Sequence, residues 1–278
     1  MTILFAADLD RTLIYSANAV GGDVAGLECV ELRDGRPVSF TTARALALLH
    51  ELAARVAFVP VTSRSLEQYA RVRGLPTGRF AVIASGGLVL DGGRPDEGWT
   101  RRMQRAISAS GEPLSAVAAL VEPVARAAWC RSVRHHHDMY MVIRVDREAV
   151  SAGWLPHLRD TLSPLGWRAE VQGSKVYVLP EVLDKWPAVQ HVAEQVGAEL
   201  ILAAGDSPLD RGMLERADIA LRPAHAELSV GSVPPPGTPG VRAAEEIVEA
   251  FGALSRAWRS TRTPAARVPD GAGGFTEA

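Results

Sequence analysis

Apolar residues along this chain gather first into short, unbroken runs. Residues 3–7, 56–61, 80–84 and 199–204 are almost wholly apolar. A strand with one wet face would alternate, so these runs predict strands buried on both faces of a parallel sheet. Between them the apolar positions change to helical spacing. Ala45, Leu48, Leu49 and Leu52 share one face of a helix over 42–54 that Thr41 or Thr42 can cap. Further helices are predicted over 65–73 (closed by Gly74), 186–196, 210–216 and 241–259, with short strands at 88–90 and 219–221. Strand followed by helix, repeated, is the pattern of an α/β, Rossmann-like doubly wound parallel sheet.

Two segments interrupt the alternation. Residues 14–39 are a polar excursion in which 29–32 and 37–40 flank Asp34-Gly35, a hairpin-turn signal. Residues 91–179 read as helices at 114–128 and 147–162 and strands at 139–145, 167–172 and 175–179. They form an inserted α+β module within the usual domain size. The expected organisation is a discontinuous core, 1–90 and 180–259, with the module 91–179 between its halves. Residues 233–240, Pro-rich, are expected as a stiff loop, and 260–278, rich in Gly, Pro and Ala, as a disordered tail.

Composition narrows the partners. With 278 residues, 47% hydrophobic and 22% charged, the chain reads as an ordinary soluble globular protein. A net charge of -2 gives no reason to expect nucleic acid or an anionic membrane. No stretch is long and apolar enough to span a bilayer, and no signal-peptide pattern opens the chain. Cys29 and Cys130 stand far apart in no metal-binding spacing, so a reduced, cytoplasmic protein is expected. Among 30 basic residues only Lys175 and Lys185 are lysines. A position that stays lysine against that bias points to a need for a compact ammonium.

The chemistry sits at the strand ends. Phe5-Ala6-Ala7-Asp8-Leu9-Asp10-Arg11-Thr12 ends a buried strand on two carboxylates that would repel without a cation or a shared proton. A hard ion such as Mg²⁺ supplies that attraction, leaving one carboxylate to attack phosphorus and the other to move protons. Thr62, Ser63 and Arg64 follow the second strand, where hydroxyls and free amides suit a phosphate oxygen. Lys185 opens a helix, and Gly205-Asp206-Ser207-Pro208-Leu209-Asp210 follows a later strand. In open α/β sheets such strand ends converge on the ligand.

Asp8-Leu9-Asp10-Arg11-Thr12, Thr62, Lys185 and Gly205-Asp206…Asp210 resemble, in order, the four motifs of the haloacid dehalogenase-like (HAD) phosphatase superfamily. The resemblance spans residues 3–222, and the insertion between the second and third motifs is similar to the C2-type cap of Cof-type, sucrose-phosphate, trehalose-phosphate and mannosyl-phosphoglycerate phosphatases. It implies Asp8 as the nucleophile that forms an aspartyl-phosphate and binds Mg²⁺. It implies Asp10 as general acid and base, whose backbone carbonyl also reaches the metal. Thr62 is implied as phosphate ligand, Lys185 as stabiliser of nucleophile and phosphoryl group, Asp206 and Asp210 as metal partners, and Thr12 as a residue orienting the loop. The implied substrate is a small phosphorylated metabolite, a sugar phosphate or phosphorylated glycoside.

Two positions depart from that pattern: Leu209 stands where Asn is common, and Gly86-Gly87 where Asn-Gly is common. The alternatives are a phosphomannomutase-like phosphotransferase and a non-catalytic binding protein. The Gly-Asp-Ser-x-Leu-Asp form also resembles HAD proteins encoded with tellurium-resistance and stress systems, which implies an unusual nucleotide or ribosyl phosphate. In the inserted module Arg131, Arg134, Arg144, Lys175 and Tyr177 are candidates to touch an anionic or hydroxyl-rich leaving group. The run His135-His136-His137-Asp138 reads as a polar edge, since consecutive residues of a strand point to opposite faces.

Overall fold

A computed structural model describes residues 2–262. The first half contains β1 (Thr2–Ala7), β2 (Tyr15–Ser16), β3 (Leu27–Arg33), β4 (Arg36–Thr42), α1 (Ala43–Ala53), β5 (Ala57–Pro60), α2 (Leu66–Tyr69), β6 (Phe80–Ile83), β7 (Leu88–Asp91) and β8 (Arg94–Pro95). The insertion contains α3 (Glu97–Ser110), α4 (Leu114–Ala125), β9 (Cys130–His136), β10 (Tyr140–Val145), α5 (Trp154–Leu162), β11 (Trp167–Gln172) and β12 (Lys175–Pro180). The chain returns through α6 (Lys185–Val196), β13 (Ala198–Ala204), α7 (Arg211–Arg216), β14 (Ile219–Leu221) and α8 (Ala243–Arg262).

Four parallel strands in the order β14-β13-β1-β5 make the central sheet. A parallel bridge between Val61 and Val82 then joins β6 to its edge. The alternation of β1 explains the double winding. Ile3, Phe5 and Ala7 pack into one apolar cluster with Leu49 and Leu52 of α1 and Ile247, Val248 and Phe251 of α8. Leu4 and Ala6 pack into the other, with Ala188, Val189 and Val192 of α6 and Met213 and Leu214 of α7. Burying each such large side chain contributes about 1.5–3 kcal/mol, so helices are held on both faces. Register does the rest: Ala7 lies opposite Ala204 on one side and Pro60 on the other, so three strands end at one level.

The inserted sheet runs β11-β12-β10-β9, antiparallel throughout. Met141, Ile143, Val176 and Val178 face its own cluster with Val117 and Val121 of α4 and Leu158 and Leu162 of α5. Tyr140, Val142, Tyr177 and Leu179, on the opposite face, join the core cluster. Residues 15–42 form a separate three-stranded sheet, β2-β4-β3. Its Asp34-Gly35 turn has both residues at positive φ, 53° and 74°, as a tight hairpin requires.

Several expected elements change. The helix expected at 65–73 closes after Tyr69, because Arg73 donates its amide to Val30 and Val72 bridges Glu31 of β3. The helix expected at 147–162 begins at Trp154. Helix α3 was not expected; only Trp99 and Met103 of its 14 residues are buried, and both join the core cluster. Strand β9 covers residues expected only to precede a strand. The last helix continues through Arg262, three residues into the segment expected as disordered, and the rest of that segment lies outside the described residues. No described helix is long and apolar enough to cross a membrane.

Candidate active site

The common level of the strand ends brings Asp8, Thr62 and Asp206 to one edge of the sheet, and α6 brings Lys185 to the same place. Asp184 caps α6 through the amide of Trp186, fixing Lys185 as its first residue. Its ammonium is 1% exposed and donates to Asp8 Oδ1 at 2.7 Å and Asp210 Oδ1 at 2.5 Å. The other oxygen of Asp210 accepts from the amides of Asp206 and Ser207 at 3.1 and 2.9 Å and from the Ser207 hydroxyl at 2.9 Å. Only glycine fits at 205, since a Cβ there would lie 2.5 Å from the Asp210 side chain. Gly86, at φ +93°, is likewise required: a Cβ would meet the Asp184 carbonyl at 2.1 Å.

Asp8, Asp206 and Asp210 each offer an oxygen within 4.8 Å of the others, all buried. Burial, partly offset by Lys185 and reinforced by Asp210 and Asp10, pushes the Asp8 carboxyl up to about 7. Burial and the neighbouring Asp8 and Asp210 raise Asp206 well above the carboxylate range. Asp8 Oδ2 and Asp206 Oδ2 are buried without a hydrogen-bond partner. Arg11 Nε stands 3.3 Å from that Asp206 oxygen, and its Nη1 is 2.7 Å from Glu227. An orphaned Asp8 oxygen and an Asp206 oxygen met only by Arg11, in an acidic cage, are the donor set a hard divalent cation takes. The residues fit such an ion.

The Asp10 carboxylate turns away from this cage. Arg64 grips it with two bonds, Nε to Oδ2 at 2.8 Å and Nη2 to Oδ1 at 2.9 Å. Burial alone would raise Asp10, but the guanidinium outweighs it and holds the carboxyl down at about 2. Arg64 also donates to Glu31 Oε2 at 2.8 Å. Glu31, 4% exposed, further accepts from Ser39 at 2.6 Å and from Arg71 at 3.0 Å. A continuous ion network therefore ties the loop after β1 to the hairpin β3–β4.

Thr12 Oγ1 and Ser85 Oγ are buried and unbonded, while Thr62 Oγ1 accepts the Arg64 amide at 3.2 Å. Ser63, expected at a phosphate oxygen, is engaged by the inserted module: its hydroxyl lies 3.1 Å from Tyr177 Oη, and its carbonyl accepts from Tyr140 at 2.8 Å. The module also sends Gln172 into the cage, where Nε2 donates to Asp206 Oδ1 at 3.3 Å and Oε1 accepts from Tyr177 at 3.4 Å. Sequence reasoning missed Gln172, Tyr140, Glu31 and Ser85. Only the period of two along β11 and β12 pointed that way, by setting Gln172 opposite Lys175.

Arg144 and Lys175 face each other across β10 and β12 and line the cleft beside Asp10. Arg131 is instead paired with Asp146 and lines no part of that cleft. The three histidines separate: His135 is exposed, His136 stacks on Tyr140 at 5.1 Å, and His137 accepts the Leu66 amide at 3.3 Å. Leu209 is 4% exposed within the core cluster, so the position where an amide is common is filled by apolar packing.

The doubly wound sheet with an inserted α+β layer is the fold of solved HAD-superfamily phosphatases and HAD/COF-like hydrolases. Sucrose-phosphatase from Synechocystis sp. PCC6803, solved with sucrose and phosphate, superposes with a TM-score of 0.61 at 15% identity over 91% of this chain and 98% of that one. A Thermoplasma acidophilum protein, 0175, gives 0.61 at 16% identity over 91% and 98%. A HAD phosphatase from Bacteroides thetaiotaomicron, BT1666, gives 0.54 at 15% identity over 91% and 95%. No family model matches the sequence, and no curated protein matches it.

Proposed function

We propose that this chain is a Mg²⁺-dependent phosphomonoester hydrolase working through an aspartyl-phosphate on a small phosphorylated metabolite in the cytoplasm. The observation that carries the reading is the buried Lys185 bridging Asp8 and Asp210 beside oxygens of Asp8 and Asp206 that accept no hydrogen bond. Mg²⁺ held by Asp8, Asp206 and Asp210 would neutralise charge on the phosphoryl oxygens.

In this reading an Asp8 oxygen forms a bond to phosphorus as the ester P–O bond breaks. The departing alkoxide takes a proton from Asp10. Asp10 then takes a proton from water, the water oxygen bonds to phosphorus, and the P–O bond to Asp8 breaks to release phosphate. Lys185 orients Asp8 and offsets its charge, and Thr62 and the buried, unbonded Ser85 hydroxyl would donate to a phosphoryl oxygen in this reading. Asp10 is ionised while Arg64 holds it. Its turn as an acid therefore begins with Arg64 shifting its weight to Glu31, already bonded at 2.8 Å, and Asp10 taking up a proton from solvent that it then passes to the departing alkoxide. The sucrose-phosphatase likeness supports a sugar phosphate or phosphorylated glycoside as substrate. The free thiols of Cys29 and Cys130 are in keeping with a reducing compartment.

The test is phosphate release from a panel of phosphorylated metabolites and a generic aryl phosphate, with Mg²⁺ and with chelator, against Asp8→Asn. Release that needs metal and vanishes in the variant is expected. Undiminished turnover by Asp8→Asn would remove Asp8 as nucleophile.

A further inference from the structure

The cleft between the inserted sheet and the hairpin β3–β4 carries more positive charge than the proposed chemistry uses. It is a cavity of about 260 Å³ that Asp10 helps to line. Its acids are Asp10 and Glu31, and both are already taken by Arg64 and Arg71. Arg33, Arg134 and Arg144 also line it, and none of the three has a carboxylate partner among the described residues.

The sheet register makes this costly. Arg144 lies directly opposite Lys175, and Arg134 lies opposite Val142, one strand over and two positions along on the same face. Like charges set directly across an antiparallel pair destabilise it. Little around them relieves the repulsion: Ser132, opposite Arg144, is neutral, and Asp10, whose charge Lys175 feels, is already gripped by Arg64. The same cations border the adjoining larger cavity, where Arg33, Arg144 and Lys175 recur with Asp10. An anion between the hairpin and the sheet would answer all of them at once, with charge-assisted hydrogen bonds from guanidinium forks.

We infer that this cleft is a second anion subsite, holding a carboxylate or phosphate on the leaving-group side of the substrate. The preferred substrates are then phosphomonoesters whose alcohol portion carries its own negative charge. This rests on the phosphatase reading for the position of the reacting phosphate. The subsite itself is set by Arg33, Arg134, Arg144 and Lys175.

Binding tests it apart from turnover. Calorimetry on the full-length Asp8→Asn protein compares 3-phosphoglycerate with glycerol 3-phosphate, which differ in a carboxylate. It also compares fructose 1,6-bisphosphate with fructose 6-phosphate, which differ in a phosphate. At least one charged partner is expected to bind about tenfold tighter than its neutral match, about 1.4 kcal/mol. The better pair tells carboxylate from phosphate. In Arg144→Gln the preference falls about fivefold or more, and Arg144→Lys keeps most of it. Equal affinities within both pairs, or a preference untouched by Arg144→Gln, overturn the subsite. A preference retained in a wild-type protein that hydrolyses nothing overturns the phosphatase reading and leaves the subsite standing.

Discussion

Replacing Lys185 by methionine keeps the length of the side chain and removes its charge. The ammonium is 1% exposed and bonded to two carboxylates, and a third lies within the same 4.8 Å. Without it, two ionised carboxylates at that separation repel by about 3.5 kcal/mol at an effective dielectric near 20. Proton uptake by Asp8, already pushed up to about 7 with the lysine present, caps the penalty. The net cost falls in the range found for breaking a buried ion pair, about 3–5 kcal/mol. At about 2–4 °C per kcal/mol for a chain of this size, the melting temperature drops by roughly 6–20 °C. The assay is thermal unfolding at neutral pH with chelator and with millimolar Mg²⁺. Magnesium is expected to narrow the gap, because it returns positive charge to the cage and binds only the folded state. Hydrolysis falls on the order of 10²–10³-fold. A variant melting within about 2 °C of wild type in chelator, or one further destabilised by Mg²⁺, would refute the electrostatic account of the cage.

Two more outcomes follow from the same geometry. Burial would raise Glu31, but Arg64, with hydrogen bonds from Ser39, Arg64 and Arg71, leaves it lowered. Its contribution is therefore full above the ordinary glutamate range and is lost as pH falls through its lower folded value. Glu31→Gln is expected to cost about 3–5 kcal/mol near pH 7, with the difference from wild type shrinking below about pH 4.5; melting curves whose gap is independent of pH would count against the network. Gln172→Ala removes an amide from Asp206. It should weaken Mg²⁺ binding about tenfold, as partners of metal ligands do, and unchanged Mg²⁺ affinity by calorimetry would rule out that role.

The central sheet was legible because strands wet on neither face leave unbroken apolar runs, and the residue after such a run is marked by its polarity. That is why Asp8, Thr62 and Asp206 could be placed together before any coordinates, and Lys185 with them. Elements with little buried surface left weaker marks. Helix α3 hides two side chains among arginines, and β9 is an edge strand of Arg, Ser and His that reads as loop. Gln172, Tyr140 and Glu31 were invisible for a different reason. Each reaches the site across a contact between units far apart in the chain, and no local spacing encodes such a contact. The lysine bias did carry information: Lys185 is buried in the acid cage and Lys175 lines the cleft.

The inner face of the inserted sheet is part of the main apolar core, through Tyr140, Val142, Tyr177 and Leu179. The inserted sheet is thus held against the core by hydrophobic contact. On the function proposed above, a substrate entering beneath this sheet would have to part these contacts, and its apparent affinity would be its intrinsic affinity reduced by the fraction that stands open. Because apolar contact weakens on cooling, that fraction would grow as temperature falls.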